Sequence, residues 1–302
     1  LRAFSASVRI VVNRFSRERF PFEAFRDPPG LKSHHTAEKR RTGKENPVTR
    51  FDPDYIPRSA MAIYAHPDDI EFTVGGTVAK WARAGCDFTF VLLTSGDVGT
   101  HDPAFTARKR LARVREREER AASRILGAAR VFFLNQGDCE LQPTLALRKK
   151  LVRILRRHRP EVVLCGDPQA LFFGDQYINH PDHRAAGELA LGAVFPCAEM
   201  ELLWPEAGKA HKVHAVYVSS THHPDTWIDV TATIDTKIAA LRAHKSQLGV
   251  RDISPRILGW AMDEARRAPA RKGGGTGRAR RPRYAEAFRI MRLLKDEPAG
   301  DD

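Results

Sequence analysis

The chain has 302 residues, 42% of them hydrophobic, with 50 Lys/Arg against 37 Asp/Glu for a net charge of +13. That length suffices for one sizeable core, and no apolar run approaches the roughly 20 residues of a bilayer crossing. The charge lies mostly at the ends: residues 1–60 carry +6, residues 251–302 carry +5, and residues 61–250 only +2. This speaks against a basic groove on the folded domain, and so against a specific nucleic-acid partner.

Residues 1–57 are polar, rich in Arg, Lys, His and Pro, and without sustained periodicity, so they read as an irregular basic N-terminal extension. Its start, Leu1 to Phe25, lacks the apolar stretch of a secretory signal. An Arg- and Ser-bearing start fits an organelle transit peptide, and it fits a plain extension equally well. A domain spanning 58–250 follows. Ala60 to Ala65 reads as a first buried strand, followed by a turn holding His66 to Asp69 and a helix through Lys80 and Trp81 that ends at Gly85. Phe88 to Leu93 reads as a second strand, leading into a loop from Ser95 to Pro103. Leu111, Val114, Ala121, Ala122, Ile125 and Leu126 recur at helical spacing over 108–126, with Gly127 as C-cap.

Val131 to Leu134 is the third strand, Leu145 to His158 a helix stopped by Pro160, and Val162 to Cys165 the fourth strand. A long loop containing Asp167 and Asp175 runs to His180, and a helix from Pro181 to Leu191 opens with proline at the tolerated first turn. Val213 to Ser219 predicts another strand, and Thr236 to Leu248 a helix. Beyond residue 250 come a basic, Gly-rich linker around Lys272–Gly277 and a short apolar-spaced segment, 283–293, that docks back on the domain. Strands alternating with helices predict an α/β domain with a mainly parallel sheet. Cys86, Cys139, Cys165 and Cys197 form no CxxC pair and read as unpaired thiols of a reducing compartment, taken here as the cytoplasm.

Two segments concentrate groups that bind metals and move protons: His66-Pro67-Asp68-Asp69 after the first strand, and His180-Pro181-Asp182-His183 after the fourth. In open α/β sheets the reactive crevice lies at the carboxyl ends of strands, so one fold brings both together. Catalytic zinc needs three protein ligands and an open position, and His66, Asp69 and His183 are the candidate ligands. Asp68, beside the metal but not on it, suits a general base for a bound water. His180 is left to stabilise an oxyanion or protonate a departing amine, and Asp182 to hold an imidazole in its working tautomer. The pairs His34-His35 and His222-His223 read as surface histidines, since adjacent side chains point apart.

At these residues the sequence closely resembles the PIG-L/LmbE-type de-N-acetylases. Ala65-His66-Pro67-Asp68-Asp69-Ile70-Glu71 with Gly75-Gly76-Thr77, and His180 to His183 with Arg184, match the two family motifs. Thr94 to Asp97, Arg115 to Glu118, Gln136 to Leu141, the set Lys237, His244, Ser246 and Gln247, and Tyr284 to Phe288 match lesser ones. Cys139 departs from the family, which usually has Gly beside Asp138, and so do Thr73 and Val74. The resemblance implies a Rossmann-like three-layer sandwich with a mainly parallel sheet, Zn2+ on His66, Asp69 and His183, Asp68 as base, and Arg115 and Asp138 as substrate-binding residues. It implies an enzyme, a zinc-dependent amidohydrolase removing the N-acetyl group of an N-acetylglucosamine-type sugar or conjugate, in a chain free to form a homo-oligomer. Two His and one carboxylate also suit Fe2+. The alternatives are a related amidase, such as a thiol-conjugate amidase, and a non-enzymatic binder of anionic polymers working through the basic flanks.

Overall fold

Ser59–Tyr64 (β1) turns Met61 and Ile63 to one face of a sheet and Ala60, Ala62 and Tyr64 to the other, and all are buried. An apolar strand of this kind needs a helix layer on both sides, and the computed structural model, which describes residues 54–270 and 281–294, has both. The remaining strands are Asp87–Thr94 (β2), Arg130–Gln136 (β3), Val162–Gly166 (β4), Phe172–Phe173 (β5), Tyr177–Ile178 (β6), Ala215–Ser219 (β7), Thr226–Asp229 (β8) and Ala285–Arg292 (β9). The α-helices are Asp69–Arg83 (α1), Arg108–Leu126 (α2), Leu145–His158 (α3), Pro181–Gly192 (α4), Ile234–Leu241 (α5), Lys245–Leu248 (α6) and Ser254–Arg267 (α7).

Among the described residues, seven strands form one sheet in the order β3-β2-β1-β4-β7-β9-β8. The five from β3 to β7 are parallel, and β9 pairs antiparallel with both β7 and β8. Helices α1, α2, α5 and α7 cover one face, where Trp81 stacks on Phe88 (6.1 Å between ring centroids) and meets Tyr217 edge-on (5.1 Å). Helices α3 and α4 cover the other, with Leu151, Leu155, Leu189 and Ala190 against Met61, Ile63 and Val163. The result is the expected α/β sandwich of three layers. Strand order reverses beside β1, so the carboxyl ends of β1 and β4 flank the crevice where such sheets bind ligands.

Local structure follows the sequence closely where punctuation is strong. Gly127 caps α2 at φ 89°, and Pro181 opens α4. The structure adds strands β5, β6 and β8, which were not expected, and differs elsewhere too. The single helix expected over Thr236–Leu248 is broken into α5 and α6 at Arg242–His244, which swings His244 fully inward. Helix α7 packs on β8 and β9 with Ile257, Ala261 and Ala265 inward, although no helix was expected there. The short segment 283–293, expected to dock back on the domain, holds β9, an interior strand between β7 and β8. Most of the expected extension 1–57 and the linker Lys272–Gly277 lie outside the described residues.

Strand β9 also ties the sheet to α1. Glu286, 4% exposed, accepts the amides of Gly76 (2.9 Å) and Thr77 (2.7 Å) and the ammonium of Lys237 (2.6 Å). Glycine is needed at 76 because a Cβ there would lie 2.8 Å from Val230. Removing one partner of a buried ion pair strands the other without compensation. Glu286→Ala is therefore expected to destabilise the fold by roughly 3–5 kcal/mol, read as a lower urea midpoint at unchanged m-value. A loss below about 1 kcal/mol, the range of surface pairs, would remove this pair from the scaffold.

Candidate metal centre

The turn after β1 delivers His66, Asp68 and Asp69 within four residues, because Asp68 takes φ 92°, ψ −22° and reverses the chain into α1. Its companion segment enters from β4 through the short hairpin β5–β6 into the start of α4. His180 is the N-cap of that helix, and its Nδ1 accepts the Asp182 amide (3.2 Å). With Nδ1 acting as acceptor, the neutral ring carries its proton on Nε2.

His66, Asp69 and His183 stand together, their donor atoms within 4.8 Å of one another. Asp69 bridges the two imidazoles, with Oδ1 3.1 Å from His183 Nε2 and Oδ2 3.5 Å from His66 Nδ1. The far nitrogen of each ring is held from behind. His66 Nε2 lies 3.1 Å from Asp138 and 3.2 Å from Asp182, and His183 Nδ1 lies 3.0 Å from Asn179 Oδ1. An imidazole whose outer nitrogen is fixed by a carboxylate or amide oxygen is how metal-ligating histidines are normally oriented, so these residues fit a divalent metal. Among the described residues, two further groups of donors have similar spacing: His66, Asp138 and His180, and the buried trio Glu71, Glu119 and His244.

Charge is concentrated here. Burial works against ionisation of Asp69, but His183 and His66 beside it hold its carboxyl well below the usual range. Burial likewise disfavours charged imidazole at His66 and His183, yet Asp138, Asp182 and Asp69 raise the first well above its ordinary value and Asp69 raises the second. His180 is lowered by burial and by the two neighbouring histidines. Asp138 resists burial through its bond to His66 and falls to about 2. Asp68 is pushed up to about 6 by burial, with Arg115 pulling the other way. A carboxyl tuned toward neutrality beside a candidate metal site is what general-base work requires.

The structure brings His66, Asp68, Asp69, Asp138, His180, Asp182 and His183 to one crevice. Asp182, fully buried, holds the ring of His66 rather than that of His180, and it also accepts the amides of Cys139 (2.8 Å) and Leu141 (3.3 Å). Arg115 lies beneath the crevice, 4% exposed, donating to Pro67 O (2.7 Å), Gly96 O (3.1 Å) and the Asp68 carboxylate (3.4 Å). A Cβ at Gly96, which has φ 62°, would run into that guanidinium. Cys139 sits at φ 66°, a region where glycine is unstrained and other residues are rare. Of the other sequence candidates, Asp167 and His222 line a cleft of about 980 Å³ that runs from Asp69 and His183 to Trp260 on α7. Sequence reasoning missed Asn179, for which there was no signal, and Glu119. The latter had one: Leu111, Arg115, Glu119, Ala122 and Leu126 share the buried face of α2, and a carboxylate there needs a reason.

A family model described as PIG-L: GlcNAc-PI de-N-acetylase matches residues 61–194. A diacetylchitobiose deacetylase of Thermococcus kodakarensis is 35% identical over 196 residues, covering 63% of this chain and 70% of the relative. The solved N,N'-diacetylchitobiose deacetylase from Pyrococcus horikoshii superposes with a TM-score of 0.68 at 29% identity, over 78% of this chain and 84% of its own. A 4-carboxy-2-hydroxymuconate hydratase from Pseudomonas putida KT2440 gives 0.64 at 25% identity, over 80% and 100%. With the motif residues gathered at the carboxyl ends of β1 and β4 and a relative this similar over most of its length, the chain belongs to the PIG-L de-N-acetylase family.

Proposed function

We propose that the chain is a zinc-dependent N-deacetylase that releases acetate from an N-acetylglucosamine unit of a short saccharide or conjugate. The observation that carries this reading is the Asp68 carboxyl, only 14% exposed, beside the His66, Asp69 and His183 donor set. Family membership and the names of the similar diacetylchitobiose deacetylases support the substrate class. A zinc ion on those three residues would supply the Lewis acid that polarises the amide carbonyl and acidifies a water. Asp68 takes the proton of the attacking water. His180 donates from Nε2, its Nδ1 being engaged by the α4 amide, to the oxygen that gains negative charge or to the departing amine. Asp182 and Asn179 fix the rings of His66 and His183.

Arg115 and Asp138 are the proposed sugar contacts, and as both are nearly buried they would meet only a sugar that enters deeply. The cleft of about 980 Å³ is at the upper end for small-molecule sites and leaves room for more than the acetylated ring. The partner is thus a small amino-sugar compound rather than a nucleic acid, and a homo-oligomer is compatible with the fold. No helix among the described residues is long and apolar enough to cross a membrane. The cysteines stand as free thiols, the state that a reducing compartment keeps, and the cytoplasm is assigned on that ground.

The test is release of acetate and free amine from N-acetylglucosamine and N,N'-diacetylchitobiose, before and after chelation. Deacetylation should fall by more than about 10²-fold on metal removal and return with zinc better than with ferrous iron, because the metal provides several kcal/mol of transition-state stabilisation. Activity untouched by a chelator would sink the metal role. A metal-loaded chain inert on every acetylated amino sugar would favour another amide, or the hydration chemistry named for the Pseudomonas relative.

A further inference from the structure

Asp68 is held in a backbone conformation that residues with a Cβ seldom adopt, at φ 92°. Such a conformation persists only where surrounding contacts over-determine it. Those contacts come from α2. The peptide between Pro67 and Asp68 is gripped at both ends: Arg115 Nη2 donates to its carbonyl (2.7 Å), and Glu119 Oε2 accepts its N–H (3.1 Å). Arg115 and Glu119 are four residues apart, so one face of one helix presents both halves of the clamp. The Asp68 carbonyl in turn accepts Phe72 N (2.9 Å), which fixes the direction in which α1 departs.

Glu119 is fully buried, a costly place for a carboxylate. Behind it lie Glu71 of α1 and the inward-turned His244, whose Nε2 is 3.5 Å from Glu71 and 3.8 Å from Glu119. The segment carrying His244 is itself pinned to α2, because Glu118 accepts both Ser246 N (2.9 Å) and Ser246 Oγ (2.6 Å). Helix α1 and the α5–α6 break thus pack against a carboxylate whose one hydrogen bond among the described residues goes to the backbone of Asp68.

We propose that Glu119 is a positioning residue for the general base: by accepting the Asp68 amide it keeps the Pro67–Asp68 peptide in its unusual orientation and so aims the Asp68 carboxylate. This rests on the deacetylase reading above. It differs from a packing role in a way that can be measured. An apolar residue of similar volume at 119 leaves His244 its nearer partner, Glu71 at 3.5 Å, and takes a second carboxylate away from Glu71, so no charge is stranded. A packing account then ties any loss of activity to a loss of stability. Positioning predicts the two will part.

Glu119→Leu and Glu119→Gln should be compared with wild type for kcat, KM, bound metal and Tm, and by crystal structure. The Leu variant is expected to keep one metal and a Tm close to that of wild type. Its KM should stay within about threefold, while kcat falls by about 10²-fold, the scale of a reacting group misplaced by an ångström. Its Asp68 φ should leave the positive region. Gln, which still offers an acceptor oxygen, should restore kcat to within about threefold of wild type, for the same reason of geometry. Should the Leu chain fail to fold, Glu119→Met reads the same quantities. Wild-type kcat with Asp68 φ unchanged in the apolar variant would overturn the proposal, as would equal kcat losses in Gln and Leu accompanied by a fall in Tm. A wild-type chain that deacetylates nothing would defeat the functional reading instead, and the Asp68 φ in the variant crystals would still decide the grip.

Discussion

Asp68→Asn is expected to lose about 10²–10⁴-fold in kcat, the range of general acid–base catalysis, while binding metal at wild-type stoichiometry. The substitution is chosen for its geometry. Asn is among the few residues that tolerate left-handed backbone, so the turn at φ 92° survives, and the amide oxygen can still face Arg115, 3.4 Å from the native carboxylate. What disappears is the ability to take a proton. Asp68 contributes no atom to the His66, Asp69 and His183 group, so metal content measured by elemental analysis should not change. Near-normal turnover with metal retained would strip Asp68 of its role and turn attention to Asp138 or His180. Loss of the metal itself would mean that Asp68 belongs to the ligand set.

His183→Ala should have the opposite signature. Asp69 faces His183 at 3.1 Å through one oxygen and His66 at 3.5 Å through the other, so removing His183 opens one whole side of the donor set. Loss of an outer partner alone commonly costs 10–100-fold in metal affinity. Removing a ligand is expected to exceed that, leaving dialysed protein with well under one metal per chain and with background activity. His180→Ala serves as the control, since His180 is outside that donor group and should retain the metal. If the His183 variant kept its metal and the His180 variant lost it, the alternative grouping of His66, Asp138 and His180 would be the true site.

The candidate site was more legible than the architecture around it. Both histidine motifs are short, sit at the ends of apolar strands, and depend on local sequence for their geometry, so topology alone brings them together. Strand β9 was missed as a strand because AEAFRIMR alternates only partly, its outer positions holding Arg289 and Arg292, and because its partners are far away in sequence. The break between α5 and α6 carries no glycine or proline; burial of His244 against Glu71 takes precedence over helix continuity, a tertiary contact that periodicity does not register. Arg115 was read as a substrate residue by resemblance, whereas its burial and its bonds to loop carbonyls emerge only once α2 is laid under the β1 turn.

The insertion of β9 between β7 and β8 also sets an order of assembly. The parallel strands β1 to β4 and β7 are complete by Ser219, but β7 remains an open edge and β8 has no neighbour until residues 285–292 arrive. Glu286 arrives on the same strand and is the acceptor for α1, the helix that begins with Asp69. During synthesis the nascent chain therefore exposes an unpaired apolar strand edge, the form most open to mispairing, until residues 285–292 emerge. The helix that follows the Asp68 turn thus receives its buried acceptor in the same event that closes the sheet.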